Sequence, residues 1–131
     1  MRVADSDVLI DALRGHEPMA SRVADGIRSG SLATTSVSAF ELLSGAKRDA
    51  ERERVEALLG ALPILGLDEQ SAARAAVVRR ALEAGGVKIG MADYLIAGIC
   101  LVRSATLLTR NLKHFQRVEG LILESTSEIS D

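Results

Sequence analysis

Asp5, Asp7, Glu41 and Asp93 are the side chains of this sequence best suited to joint chemistry, with Asn111 beside them. Asp5 closes the first apolar run and Asp7 follows it. Glu41 lies in the first turn of the helix expected after the second run, Asp93 opens a strongly apolar helix, and Asn111 follows the run 105–109. In open α/β sheets, ligands bind beyond the carboxyl ends of the strands, where most of this set falls. Carboxylates gathered there repel one another, and burying them without partners is costly. A hard divalent cation removes both objections. Mg²⁺ or Mn²⁺ takes a few carboxylates, completes its octahedron with water at ~2.1 Å and acts on phosphate esters. The ion also reverses the local field, so a groove that repels RNA phosphates comes to attract them.

Each acid also has a structural alternative. Asp7 reads as the N-cap of the first helix. Glu41 stands three residues after Ser38, the S-x-x-E pattern of a capping box. Asp93 suits the positive end of a helix macrodipole. Asp5 is harder to explain this way, because it ends an apolar strand where another hydrophobe would be ordinary. His114 has no second His or Cys at ligand spacing and reads as loop packing, while His16, beside Gly15, reads as exposed.

Composition narrows the function classes. Sixteen Lys and Arg against 18 Asp and Glu give a formal net charge of −2 over 131 residues, unlike a basic nucleic-acid module with pI above ~9. Any nucleic acid must therefore be held without a global positive field. With two Phe, one Tyr and no Trp, base-stacking platforms are excluded and the core must be aliphatic. Cys100, the single cysteine, sits in the apolar run 99–102 and reads as a buried hydrophobe, which suits a reducing cytoplasm. The first residues pass from charge to charge with no apolar signal-like segment. The longest uncharged stretch, 29–40, is half Ser and Thr, so no membrane span is expected.

The elements that must position the acids follow from punctuation and period. Short apolar runs at 2–5, 32–35, 64–67, 105–109 and 121–123 alternate with segments of helical period. The expected class is α/β: one domain spanning 1–131, a central parallel sheet of about four to five strands, and helices on both faces. Helices are expected at about 7–14, stopped by Gly15, and from Pro18 with Met19, Val23 and Ile27 at steps of four, stopped by Gly30. Further helices are expected at 38–46, from Asp49 to Pro63 with Val55, Leu58, Leu59 and Leu62 as its stripe, and from an Asp68 cap to Gly85-Gly86. The segment 91–103, apolar on almost every side, reads as the most interior helix. Residues 111–115 read as a short polar connection, and the mixed charges of 47–54 as a solvated face.

Four blocks in this order, Val-Ala-Asp-Ser-Asp-Val-Leu-Ile-Asp-Ala-Leu-Arg-Gly (3–15), Ser-Ala-Phe-Glu-Leu-Leu-Ser-Gly-Ala (38–46), Ile-Gly-Met-Ala-Asp-Tyr-Leu-Ile-Ala-Gly-Ile (89–99) and Leu-Leu-Thr-Arg-Asn-Leu-Lys-His-Phe (107–115), resemble the PIN-domain family, most of all its VapC-type toxins. The resemblance implies a PIN-like α/β/α sandwich and a Mg²⁺-dependent endoribonuclease in which Mn²⁺ can substitute. It also implies RNA as substrate, a small cognate antitoxin as partner, a homodimer and a cytoplasmic location. Asp5, Glu41 and Asp93 match the family's acidic positions, and Asn111 matches a fourth that is Asp in many members. A carboxamide is a weaker ligand for a hard cation, so one tight metal with a second brought by substrate is expected. The implied mechanism is in-line attack of a metal-activated water on RNA, with Asp5 and Asp93 holding the ion and Glu41 completing the site or orienting the water. Asn111 would position a water or phosphate oxygen, Ser6 and Thr109 would support the ligands or satisfy turns, and Arg110 would touch phosphate.

Two rivals belong to other classes. A receiver-like signalling domain shares the length and the acids after the first strand but needs a Lys after the last, where this chain has Glu124 and Ser125. A degenerate PIN domain that only binds a partner is the other, with Asn111 as its argument.

Overall fold

The computed structural model describes residues 1–126. Five strands, β1 (Arg2–Ala4), β2 (Leu32–Thr35), β3 (Ile64–Leu65), β4 (Thr106–Thr109) and β5 (Ile122–Ser125), form a sheet in the order β3-β2-β1-β4-β5. Every pairing is parallel. The connections carry α1 (Ser6–Leu13) and α2 (Met19–Ser29), then α3 (Ser36–Gly45) and α4 (Asp49–Gly60), then α5 (Glu69–Ala84) and α6 (Met91–Val102), and last α7 (Leu112–Phe115).

Alternation along the central strands divides the core into two layers, since successive strand side chains point to opposite faces. Val3 and Leu107 pack with Val78, Leu82, Ile96 and Ile99. Ala4 and Leu108 pack with Val8, Leu9, Met19 and Val23 on the other side. Both faces are covered, as a parallel sheet requires. Helix α6 is the interior helix, with Tyr94, Ile96, Ala97, Gly98, Ile99 and Cys100 buried. It approaches α5 so closely that a Cβ on Gly98 would fall 2.4 Å from the Ser71 carbonyl oxygen. Burial pushes the Cys100 thiol up to about 12, so it is an inert core group.

Most expected boundaries hold within two residues. Gly15 and Gly30 take positive φ at the ends of α1 and α2, and the Asp68 carboxylate accepts the Ser71 N–H at 2.8 Å at the start of α5. Three expectations are corrected. Helix α3 starts at Ser36 rather than Ser38, because the Thr35 hydroxyl accepts the Ser38 N–H at 3.1 Å and makes Thr35 the N-cap. The Ser38–Glu41 capping box therefore does not form, and Glu41 lies in the second turn. Asp7 is not the N-cap of α1; Asp5 is, and its carboxylate accepts the Ser6 N–H at 2.8 Å. Residues 112–115 form α7 instead of an irregular link, because fully buried Phe115 anchors that turn against the core.

Among the described residues, no helix is long and apolar enough to cross a membrane.

Candidate active site

Strand order reverses between β1 and β4: the chain first steps outward through β2 and β3, then crosses to the other side of β1. The crevice outside the carboxyl ends at such a switch point is the default ligand site of an open α/β sheet. Register brings Ala4 beside Leu108, and the Asp5 N–H donates to the Leu108 carbonyl at 3.0 Å. Asp5 thus stands next to Thr109 at the head of the crevice.

Asp5 is only 3% exposed. Its Oδ1 accepts the Ser6 N–H and its Oδ2 accepts the Thr109 hydroxyl, each at 2.8 Å. Those bonds favour the carboxylate, yet burial and then the nearby Asp7 charge outweigh them and push its pKa up to about 6, with Asp93 adding to the rise.

Asp7, in the first turn of α1, is raised chiefly by burial. Its Oδ2 accepts the Arg110 N–H at 3.1 Å, while its Oδ1 is buried without a hydrogen-bond partner. Glu41 receives the Ser6 hydroxyl; although the residue is exposed overall, partial desolvation of its carboxyl, then the Asp93 and Asp7 charges, raise its pKa. Ser6 thus serves two acids, one through its N–H and one through its hydroxyl. Asp93, in the first turn of α6, meets Nδ1 of His114 through its Oδ2 at 2.8 Å.

The remaining expected residues lie along the same rim. Thr109 is fully buried, and its hydroxyl also accepts the Asn111 N–H at 3.0 Å. Asn111 is exposed and its side chain makes no cap hydrogen bond to α7. Arg110, exposed on the same rim, lies over the acids of α1: its Nε is 3.5 Å from Asp11 Oδ2 and 3.9 Å from Asp7 Oδ2.

Sequence reasoning missed two participants and undervalued a third. Asp11 stands one helical turn after Asp7, a spacing that places both on one face of α1 and was the available signal. His114 is not mere packing, since it bonds Asp93. Asp7 serves the acidic cluster rather than a cap. His16 is exposed as expected, with its Nδ1 3.8 Å from Asp11 Oδ1.

The donor chemistry fits a hard divalent cation. The groups are carboxylate oxygens, the charges of Asp7 and Asp93 raise the pKa of both Asp5 and Glu41, and Asp7 offers a buried oxygen with no partner. Among the described residues, no three Asp, Glu, His or Cys side chains gather closely enough to enclose an ion. An ion here would keep much of its water, which is the habit of Mg²⁺.

Comparison with known proteins agrees with this geometry. Residues 2–121 match the PIN domain family. The chain is 37% identical over 121 residues to ribonuclease VapC10 of Mycobacterium tuberculosis, covering 92% of this chain and 90% of that one. It is 29% identical over 102 residues to the tRNA(fMet)-specific endonuclease VapC of Salmonella typhimurium, covering 75% and 77%. Among solved structures it resembles DNA-bound VapBC from Salmonella typhimurium, with a TM-score of 0.84 at 25% identity over 96% of this chain and 98% of that one. It also resembles VapBC2 from Rickettsia felis bound to a promoter fragment, with a TM-score of 0.88 at 24% identity over the same shares. Fold, acidic crevice and sequence similarity thus converge: the chain belongs to the PIN-domain family, among its VapC-type members.

Proposed function

We propose that this chain is a Mg²⁺- or Mn²⁺-dependent endoribonuclease, the toxin of a VapBC-type toxin–antitoxin pair that acts in the cytoplasm. The observation that carries the reading is Asp5, buried at the β1/β4 switch point and crowded by the charges of Asp7 and Asp93. Similarity to proteins named ribonuclease VapC supports the reaction, and likeness to VapBC complexes supports the partner.

Asp5 and Asp93 would hold the ion, with the unpartnered Oδ1 of Asp7 close by in the cluster. When bound, the ion activates water and offsets charge on the phosphodiester. Thr109 fixes the Asp5 carboxylate, and Ser6 holds Glu41, which orients the attacking water or takes its proton. Asn111 positions a water or phosphate oxygen, and the Arg110 fork suits bidentate phosphate contact.

A groove of about 450 Å³ opens between α1, α3 and α4, with Ile10, Leu13 and Leu42 among its lining and Glu41 itself, Arg14, Glu51 and Arg54 as its charged residues. An apolar floor adjoining an acidic site suits a small antitoxin that buries apolar side chains and extends a cation toward the carboxylates.

Incubation of the purified chain with a mixed RNA pool and Mn²⁺ tests the reading. Cleavage that EDTA and Asp5→Asn both abolish is expected; cleavage indifferent to both overturns it. Retained antitoxin binding by a wild-type chain that cuts no RNA would make it a binding module instead. A homodimer is the expected oligomer, which light scattering checks.

A further inference from the structure

The pairing of His114 with Asp93 joins α7 to α6 across 21 residues of sequence. We propose that His114 is a positioning residue, whose Nδ1–H holds one oxygen of the Asp93 carboxylate and so keeps that side chain ready to bind the divalent cation. The inference rests on the metal-dependent reading above and extends it to a residue outside the acidic set.

The donor direction follows from chemistry, since an ionised carboxylate can only accept and Nδ1 must therefore carry the proton. The bond engages Oδ2 of Asp93 and leaves Oδ1 outside it. Asp93 needs such a hold. Its charge is felt by both Asp5 and Glu41, so like-charge repulsion in the metal-free protein works against keeping its carboxylate beside theirs. A fixed N–H donor offsets that repulsion at one oxygen, as outer hydrogen bonds orient metal ligands generally.

His114 is itself well placed to be fixed. Its neighbour Phe115 is fully buried, and the His114 N–H donates to the Asn111 carbonyl at 3.0 Å. Buried Thr109 holds the other side of Asn111 by accepting its N–H. The ring thus stands on a turn tied to the strand that flanks Asp5, while its side chain remains 52% exposed. A histidine serving only to fill the core would be buried.

Two alternatives make different demands on the ring. A mere fastener between α6 and α7 would affect folding and not metal affinity. A direct RNA contact would use the far nitrogen, Nε2. Asn places its amide N–H near the position of Nδ1, and Gln reaches nearer that of Nε2. The full-length wild type and the His114→Ala, His114→Asn and His114→Gln variants should be titrated with Mn²⁺ by calorimetry without RNA, with metal-free melting and kcat and KM measured in parallel. The expected result is Mn²⁺ binding weakened about 10- to 100-fold in His114→Ala, largely restored in His114→Asn and not in His114→Gln, with the main kinetic loss in kcat at fixed subsaturating Mn²⁺. Wild-type affinity in His114→Ala, or rescue by Gln rather than Asn, overturns the proposal. If His114→Ala does not fold, the contrast between Asn and Gln still decides. A wild type that binds no Mn²⁺ overturns the metal-dependent reading itself, a result distinguishable from equal binding by all four proteins.

Discussion

Thr109 donates its hydroxyl to Oδ2 of Asp5 at 2.8 Å, tying the last residue of β4 to the residue that follows β1. The Thr109 hydroxyl oxygen in turn accepts the Asn111 N–H, so one buried hydroxyl sets both the Asp5 carboxylate and the turn that carries Arg110, Asn111 and α7.

Thr109→Val keeps the shape and removes this link. It leaves Asp5 Oδ2 buried without its donor, which costs about 1–3 kcal/mol of stability. Thr109→Ser, which retains the hydroxyl, should lose less. Urea unfolding of the metal-free variants measures both, and equal stability of Val and wild type would remove the hydroxyl from the account.

The raised Asp5 pKa makes a signed statement about pH. Its value of about 6 in the folded protein exceeds the ordinary 3.8, so between these values the folded state binds more protons than the unfolded chain. Stability contributed at this site therefore falls as pH rises through that window, by on the order of 3 kcal/mol in total. With EDTA present, the stability difference between wild type and Asp5→Asn should shift against wild type from about pH 4 to about pH 6.5. Saturating Mn²⁺ should reverse this trend, since the ion binds the deprotonated acid. Chemical denaturation across pH checks both slopes, and a difference that moves in favour of metal-free wild type would contradict the assignment.

Helix α3 separates charge from capping. Thr35→Ala removes the N-cap and should cost about 1 kcal/mol. Glu41→Gln touches no cap and, at an exposed position, should change stability by less than about 0.5 kcal/mol while RNA cleavage collapses. Unfolding curves paired with cleavage assays read the two effects. Near-wild-type cleavage by Glu41→Gln in saturating Mn²⁺ would remove Glu41 from the site.

Arg110 lies against Asp7 and Asp11 and offsets part of the acidic charge. Arg110→Met should raise KM for RNA several-fold without weakening Mn²⁺ binding, because it removes a competitor for the carboxylates as well as a phosphate contact. Steady-state cleavage and calorimetry separate these effects; unchanged KM would confine Arg110 to a structural ion pair.

Local chemistry made much of this protein legible in its sequence. Left-handed glycines at 15 and 30 and the Asp68 cap mark helix ends by properties those residues carry wherever they stand. The alternation of strand and helix then implied a parallel sheet, and a parallel sheet implied where Asp5 and Asn111 must lie. Near neighbours with equal credentials were not separable in this way: Thr35 and Ser38 are both good caps, and the point where β2 ends and the chain turns into α3 at Ser36 made Thr35 the cap. The long-range partnerships were beyond local reading altogether. Arg110 reaches Asp7 across 103 residues because β4 pairs with β1 rather than with β3, and His114 reaches Asp93 because buried Phe115 folds residues 112–115 into α7. Strand order and the seating of one aromatic side chain are set by the packing of the whole core, so only the tertiary structure decided which acids have partners and which oxygen is left without one.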